Sequence, residues 1–257
     1  MVKRLLSLFV ISFTVITSYA QWFAIPNLTT FDDRKIHFGF TLGINTMDFG
    51  FKFYDNLNDN PLFDINSVKQ EYRAELDTVN YVVRADIANL TPGFTVGIVS
   101  NLRLTKNLDL RFIPGLSFGN RKVVFNVPIH DTKQLDVPSV YSARATFLDF
   151  PLMIKYKSKR IVNNRPYIIG GVAYRYDISK SALDDLIQIR KSQFSLEAGM
   201  GWDLYLQFFR LSTEIKYSFG LWNGLMSKPP DTPQNSYYHL SIKSLSTNLL
   251  TLSFHFE

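Results

Sequence analysis

Side chains suited to catalysis or metal binding are scarce in this chain. It carries four histidines and no cysteine, which excludes cysteine-ligated metal sites and disulfide frameworks. His130 and His239 lie in stretches of loop composition, where nearby acids and hydroxyls do not amount to a catalytic triad. His37 and His255 lie in segments of alternating hydrophobicity, and a contact between them would still supply too few ligands for a metal site. The sequence therefore predicts a protein that is not an enzyme and that uses no cofactor and no metal.

A second set of polar side chains is larger and more regular. It comprises six basic and six acidic residues that alternate with apolar residues along the chain: Arg103, Asp109, Arg111, Asp149, Lys155, Arg175, Asp177, Glu197, Asp203, Arg210, Glu214 and Lys216. Alternation places them on one face of extended segments, and opposite charges that share a confined space satisfy one another. We therefore predict a charge network that fills and rigidifies an interior. A proton or ion path is the competing interpretation.

Eight segments with period-two hydrophobicity must position these residues. Apolar side chains recur at alternate positions in 36–44, 94–104, 108–118, 148–156, 168–176, 194–204, 209–219 and 250–256. Each segment has about ten residues, the length of a strand that crosses a bilayer at a tilt. The pattern predicts an all-β protein, an eight-stranded antiparallel up-and-down transmembrane β-barrel with a filled polar lumen.

The connections between these segments alternate in length. The short ones are 105–107, 158–165 and 207–208, and the long ones are 46–92, 120–143, 178–192 and 221–247. Short turns at one end and long loops at the other are typical of outer-membrane barrels, in which the turns face the periplasm. A soluble barrel with its apolar face inward would alternate equally well. The abundance of glycine on the polar face, at Gly39, Gly97 and Gly199 for example, favours a narrow filled lumen over a water-facing exterior.

The N-terminal residues have the composition of a secretory leader. Lys3 and Arg4 precede an apolar stretch over 5–16, and small residues before Gln21 suit a cleavage site. We expect a signal peptide at 1–20, a periplasmic N-terminal segment at 21–34 and an outer-membrane barrel domain at 35–257, with both termini in the periplasm. The formal charge of +6 is spread along the chain, which is not typical of a nucleic-acid-binding protein.

Several of these segments resemble the PorT family of the Bacteroidetes. The resemblance is carried by 31–49, where the chain reads Phe31-Asp32-Asp33-Arg34-Lys35 and continues into the first strand, and by 93–104, 147–152 and 165–171. It covers nearly the whole chain after the leader. The resemblance implies an outer-membrane component of the type IX protein secretion system, with a role in gliding motility in gliding species. It implies no catalytic residues.

A filled eight-stranded barrel is too narrow to pass a folded protein, so the expected role is that of an assembly or accessory factor that acts through docking surfaces. Possible partner contacts are the charged run Asp32, Asp33, Arg34 and Lys35 and the aromatic residues Phe49, Phe51 and Phe53. The alternatives are a solvated linker for the first set and a continuation of strand one above the bilayer for the second.

The expected partners are outer-membrane lipid and other secretion-system proteins, with no nucleic acid and no small-molecule substrate. Two other functions stay open on the sequence alone. One is a stand-alone adhesion or surface-binding outer-membrane barrel whose long loops bind a ligand. The other is a lipid-modifying enzyme that uses His130 and His239.

Overall fold

In this computed structural model the described residues are 25–55, 59–63, 84–126, 140–179, 187–227 and 236–257. Side chains are described for all of these except 84–90, 121–126, 140–143 and 236–238. The expected signal peptide at 1–20 and His130 lie outside the described residues.

Nine antiparallel strands form one closed sheet. They are β1 (Ile36–Phe53), β2 (Arg84–Arg103), β3 (Leu108–Phe112), β4 (Gly115–Asn126), β5 (Val140–Lys157), β6 (Asn164–Asp177), β7 (Ser192–Tyr205), β8 (Arg210–Gly220) and β9 (Ile242–Phe256). A 3-10 helix, Phe31–Asp33, precedes β1, and a short helix α1, Ser236–Ser241, precedes β9. Strand β1 pairs with both β2 and β9, which closes the ring. Within the described ranges, no helix is long and apolar enough to cross a membrane.

The ninth strand arises because one barrel strand is interrupted. Strands β3 and β4 both pair with β2 on one side and with β5 on the other, so together they fill a single position in the ring. The interruption falls at Ile113 and Pro114, since proline has no N–H to donate to a ladder. The predicted eight-stranded antiparallel barrel is therefore confirmed.

Several strands are longer than the predicted ten residues. Strands β1, β2 and β5 contain 18, 20 and 18 residues, and their extra residues belong to stretches that the sequence assigned to long loops. The extra residues lie at the end of the barrel opposite the three short turns. We call this end the loop end. The opposite end, with the short turns and Glu257, is the turn end.

The two faces of the barrel differ in polarity along most of its height. The outward face is an apolar belt that includes Phe38, Ile98, Ile154 and Leu196, all exposed. The inward face is buried and polar, as Thr41, Arg111 and Glu197 illustrate. An outward apolar belt around a polar interior is the arrangement expected of a barrel surrounded by lipid.

At the loop end the polarity is reversed, which the sequence analysis did not predict. On β1 the outward residues change from apolar to polar after Ile44, while inward Met47 and Phe49 are buried. Met47 packs with Ala145, Phe147 and Leu249 in an apolar plug inside the barrel. Strands that rise above the belt meet water on their outer face, so their inner face forms an ordinary hydrophobic core.

Candidate functional site

A cluster of buried ion pairs fills the lumen near the turn end. Arg111 Nη1 lies 3.2 Å from Glu214 Oε2, and Arg111 Nη2 lies 3.0 Å from Glu257 Oε1. Arg210 donates to the other oxygen of Glu257. These side chains come from β3, β8 and the C-terminus, so the pairs connect strands that are far apart in sequence.

A lysine completes this turn-end cluster. Lys155 Nζ lies 2.7 Å from Asp203 Oδ1, which also accepts a hydrogen bond of 2.6 Å from Ser212. The Lys155 ammonium sits 3.6 Å from the centre of the Tyr167 ring, and the Tyr167 hydroxyl donates to Glu214 at 2.9 Å. A methyl group at Gly201 would overlap this ring, so the glycine makes room for the aromatic side chain.

A second, central cluster lies above the first. Arg175 donates to Asp149 at 2.9 Å and to Glu197 at 2.6 Å, and Lys216 Nζ lies 2.7 Å from the second oxygen of Glu197. Ser117 donates to Asp149. Buried charges are stable only when they are paired, and each charge of this cluster lies against an opposite charge.

Two of the twelve predicted network residues lie elsewhere, at strand ends. Arg103 is half-buried at the turn end and donates to the backbone carbonyls of Asp32 and Asp33. Asp177 is half-buried at the loop end and accepts from the backbone N–H and hydroxyl of Ser179. Both occupy inward positions of their strands. Because they lie at the ends of the barrel, their partners are backbone groups and a hydroxyl group instead of opposite charges.

The side chains of Lys157, Arg165 and Glu257 are also buried in this part of the barrel, although they were not predicted from the sequence. Lys157 Nζ lies 2.7 Å from Asp109 Oδ2, and Glu257 joins the turn-end cluster. The signal that could have found them is their alternation with residues that were recognised: Lys157 with Lys155, Arg165 with Arg175, and Glu257 with His255.

The space that the charges leave in the middle of the lumen is small. A cavity of about 30 Å³ lies between the central cluster and the uncharged wall formed by Thr41, Thr251 and Ser253. This volume holds about one or two water molecules. The described lumen is therefore packed with side chains, like other eight-stranded barrels.

His37 and His255 do not form the contact that was considered from the sequence. In the β1–β9 register Thr41, not His37, lies opposite His255. His37 stacks on Phe31 with 4.0 Å between ring centres, and His255 Nε2 lies 3.6 Å from Glu214 Oε2. Across the described part of the chain, no group of three or more acids and histidines could hold a metal ion.

The N-terminal residues form a strap, 25–35, across the turn end. Phe31 is wedged against His37, the edge of Tyr205 and the Arg210 guanidinium, which is 4.6 Å from its ring centre. Asp32 accepts hydrogen bonds of 3.1 Å from Arg165 and from the Tyr205 hydroxyl. The strap therefore covers the lumen on this side.

The predicted partner-contact residues have different environments. In the charged run Asp32 is engaged within the strap, whereas Asp33, Arg34 and Lys35 are exposed. In the aromatic set, Phe49 is buried in the barrel and is not available to a partner, because β1 continues through Phe53. Phe51 and Phe53 are half-buried, and the three rings contact one another in sequence at 5.5 and 5.6 Å.

A polar cluster orders the loop end. His239 on α1 accepts a hydrogen bond of 3.3 Å from the backbone N–H of Gln188 at Nδ1, and its Nε2 lies 2.8 Å from the carbonyl of Met226. These two bonds require a neutral imidazole with its proton on Nε2. His239, which was a candidate for lipid chemistry, is buried and joins three loop segments.

Comparison with solved structures gives matches of low identity, among them two described as outer membrane proteins. OprG of Pseudomonas aeruginosa is 12% identical with a TM-score of 0.42, and the match covers 86% of this chain and 93% of OprG. AlkL in lipid bilayers is 15% identical with a TM-score of 0.40 and coverages of 85% and 90%. Ail, the attachment invasion locus protein of Yersinia pestis, is 9% identical with a TM-score of 0.34 and coverages of 87% and 98%. Scores and identities this low carry no argument about function.

No curated protein matches the chain at a significant level. A family model described as "Outer membrane protein beta-barrel domain" matches residues 19–224. That match spans most of the chain and agrees with the closed antiparallel ring and its outward apolar belt. The chain belongs to the outer membrane protein beta-barrel domain family.

Proposed function

We propose that this outer-membrane barrel is a component of the type IX protein secretion system, where it acts as an assembly or accessory factor through docking surfaces. The resemblance of residues 31–49 to the PorT family supports the choice of system. The packed lumen supports a role without a pore, and it is the observation on which the mechanism depends.

The packing of the lumen supports a role in which no protein passes through this barrel. Buried ion pairs occupy the interior near the turn end and at the centre of the barrel, as Lys155–Asp203 and Arg175–Glu197 illustrate. The strap covers the turn end, and the plug around Met47 and Phe147 fills the loop end. Clearing a passage would strand several charges without partners, at a cost of several kcal/mol each.

The proposal assigns the turn end to the periplasm, because short turns face the periplasm in barrels of this kind. The strap, the three short turns and the C-terminus would then be available to periplasmic components. The apolar belt would contact outer-membrane lipid. The proposal includes no catalytic step, no cofactor, no small-molecule substrate and no nucleic acid.

Deletion of the gene tests the proposed function. We expect export of proteins with a C-terminal sorting domain to stop, and the chain supplied on a plasmid to restore it. As a control, secretion by an unrelated route should be unchanged. Normal export in the deletion strain, with loss of some other surface trait such as adhesion, would refute the proposal.

A further inference from the structure

We propose that the turn end carries a preformed docking patch for a protein partner whose own surface is apolar at its centre and acidic at its edge. The patch consists of Ile161 and Val162 at the tip of the β5–β6 turn, with Ile25 and Phe208 beside them. This inference relies on the proposed function only for the identity of the system to which the partner belongs.

The patch is apolar and exposed although it lies past the ends of the strands. Ile161 is 69% exposed, Val162 44%, Ile25 81% and Phe208 84%. The turn occupies 158–163 between β5 and β6, and the nearest outward residues of the belt are Tyr156 and Ile168. Exposed apolar groups gathered in one place mark a contact site with a protein or with a membrane, and the order and charge of this surface distinguish the two.

Hydrogen bonds hold the segments of the patch side by side. Asn163 Nδ2 donates to the carbonyl of Ile25 at 3.0 Å, and the Asn27 N–H donates to Asn163 Oδ1 at 2.8 Å. Asn27 Nδ2 donates to the carbonyl of Tyr205 at 3.1 Å, three residues before Phe208. The three segments that carry the four apolar residues, the strap and two turns, are therefore joined to one another at the turn end.

The backbone of the patch is held in an unfavourable conformation. Val162 and Leu28 have φ values of 53° and 48°, a region that side chains rarely adopt and that is least favourable for a β-branched residue. Arg160 stabilises both: its guanidinium donates to the carbonyl of Val162 at 2.7 Å and to that of Leu28 at 3.3 Å. Strain that surrounding contacts maintain is concentrated at functional sites.

Arg160 itself is fixed by an aromatic ring. Its guanidinium carbon lies 3.6 Å from the centre of the Tyr205 ring, and Tyr205 in turn binds Asp32 in the strap. This arrangement favours a protein as the occupant over lipid. Fluid lipid has no fixed shape for a rigid surface to match, whereas preorganisation lowers the entropy lost when two proteins bind.

The charges around the patch define the partner further. Lys159, Lys106, Arg34 and Lys35 are exposed at the turn end, and among the described side chains there Asp33 is the exposed acid. The Arg165 guanidinium donates to the carbonyl of Lys106, which links this turn to the one that carries Lys159. An apolar patch beside a basic surface complements an apolar surface edged by carboxylates.

Site-directed photocrosslinking tests the patch, since the chain has no cysteine and a single introduced cysteine is labelled uniquely. The Ile161→Cys variant is labelled with a benzophenone maleimide in outer membranes from cells with the intact secretion system and is then irradiated. Lys191→Cys, at an exposed residue of the loop end, is the control. We expect an adduct with one other protein at position 161, about tenfold stronger than at 191, as for a residue at the centre of an interface.

Charge reversal is the second arm. In the labelled protein, Lys159→Glu together with Lys106→Glu should weaken the same adduct about tenfold, as expected for repulsion of an acidic partner surface. An adduct that these changes leave intact would overturn the proposal. So would adducts confined to phospholipid, to a second copy of this chain or to the residues that precede Ile25.

A variant without the patch separates this inference from the proposed function. The double variant Ile161→Ser, Val162→Gly removes the apolar surface, and glycine accepts the left-handed backbone at 162. We expect the barrel to fold, as judged by heat-modifiable migration, and export to fall about tenfold. Export at the normal level in this variant, with no export in the deletion strain, would overturn the patch and leave the proposed function standing. A charge-sensitive adduct at position 161 together with normal export in the deletion strain would support the patch and overturn the proposed function.

Discussion

Arg111 on β3 and Glu257, the last residue of the chain, meet inside the barrel with 3.0 Å between Nη2 and Oε1. Phe256 before it is an outward residue that stacks on Phe40 at 4.8 Å. The chain thus ends with one side chain in the belt and the next in the lumen. The carboxylate of Glu257 is shared in the lumen by Arg111 and Arg210.

Removing the carboxylate of Glu257 should destabilise the barrel. Glu257→Gln leaves the buried Arg111 and Arg210 without their shared negative partner, and loss of one member of a buried pair costs about 3 kcal/mol or more. Unfolding by denaturant in detergent micelles measures the change. Asp33→Asn, at an exposed acid, is the control and should leave the free energy of unfolding unchanged. Equal stability of both variants would show that Glu257 is not paired in the lumen.

The Lys155–Asp203 pair should show strong coupling in a double-mutant cycle. Lys155→Met and Asp203→Asn should each lower the free energy of unfolding by about 3 kcal/mol, because each strands a buried charge. The double variant should cost less than the sum by about 1 to 3 kcal/mol. The cycle is measured in the same denaturant experiment. Strict additivity would contradict the ion pair.

The strap should depend on Asp32 and not on its neighbour. Asp32→Ala removes the acceptor of Arg165 and Tyr205, whereas the adjacent Asp33 has an exposed side chain. Amide hydrogen exchange over 28–35 should become about tenfold faster in Asp32→Ala, for a loss of about 1.4 kcal/mol in local stability. Asp33→Ala should exchange like the unchanged protein. Equal acceleration in the two variants would mean that the side chain of Asp32 does not hold the strap.

The barrel should not conduct as an open channel. The ion pairs and the loop-end plug occupy the interior independently of the strap, so releasing the strap is not sufficient to open it. Recordings in planar bilayers should show no stable opening for the protein or for Phe31→Ala. A lasting wide conductance in either would contradict a filled lumen.

Acid should loosen the loop end. Burial lowers the pKa of His239 below its ordinary value of 6.5. When the loop-end segments separate from His239, its imidazole binds a proton more readily than in the ordered structure. The contribution of His239 to the stability of the loop end is therefore complete above about pH 6.5 and is lost as the pH falls below that value. Protonation of Nδ1 also removes the acceptor of the Gln188 N–H.

Hydrogen exchange protection over 187–190 and 224–226 measures this effect. Protection should be lower at pH 5 than at pH 7.5 in the unchanged protein, after correction for the intrinsic exchange rate. His239→Gln should show lower protection at both pH values and no dependence between them. A pH dependence that survives in His239→Gln would assign the effect to another group.

The sequence by itself determined which segments form strands and which face of those segments is apolar. Period-two hydrophobicity is local, so segments such as 36–44 and 194–204 were identifiable as strands, with their apolar faces as one set. The same alternation identified the residues of the lumen clusters, including Arg111, Lys155 and Glu197, because an inward face of a narrow barrel must balance its charges. Loop lengths added the up-and-down topology.

The extent of the strands was less accessible, for a physical reason. Above the belt the surroundings of the outer face change from lipid to water, and the hydrophobic pattern of β1 changes phase between Ile44 and Met47. A strand predicted from outward apolar residues alone therefore stops at Ile44, although β1 continues to Phe53. For this reason Phe49 was predicted as a possible partner contact, although its side chain is buried inside the barrel.

Only the tertiary structure decided which charges pair and what closes the turn end. Arg111 and Glu257 are separated by most of the chain, and their meeting depends on the register of strands around the ring. The strap depends on contacts of Phe31 and Asp32 with residues of β1, β6, β7 and β8. No local periodicity encodes such contacts, because they form only when the sheet closes and brings distant strand ends to one rim.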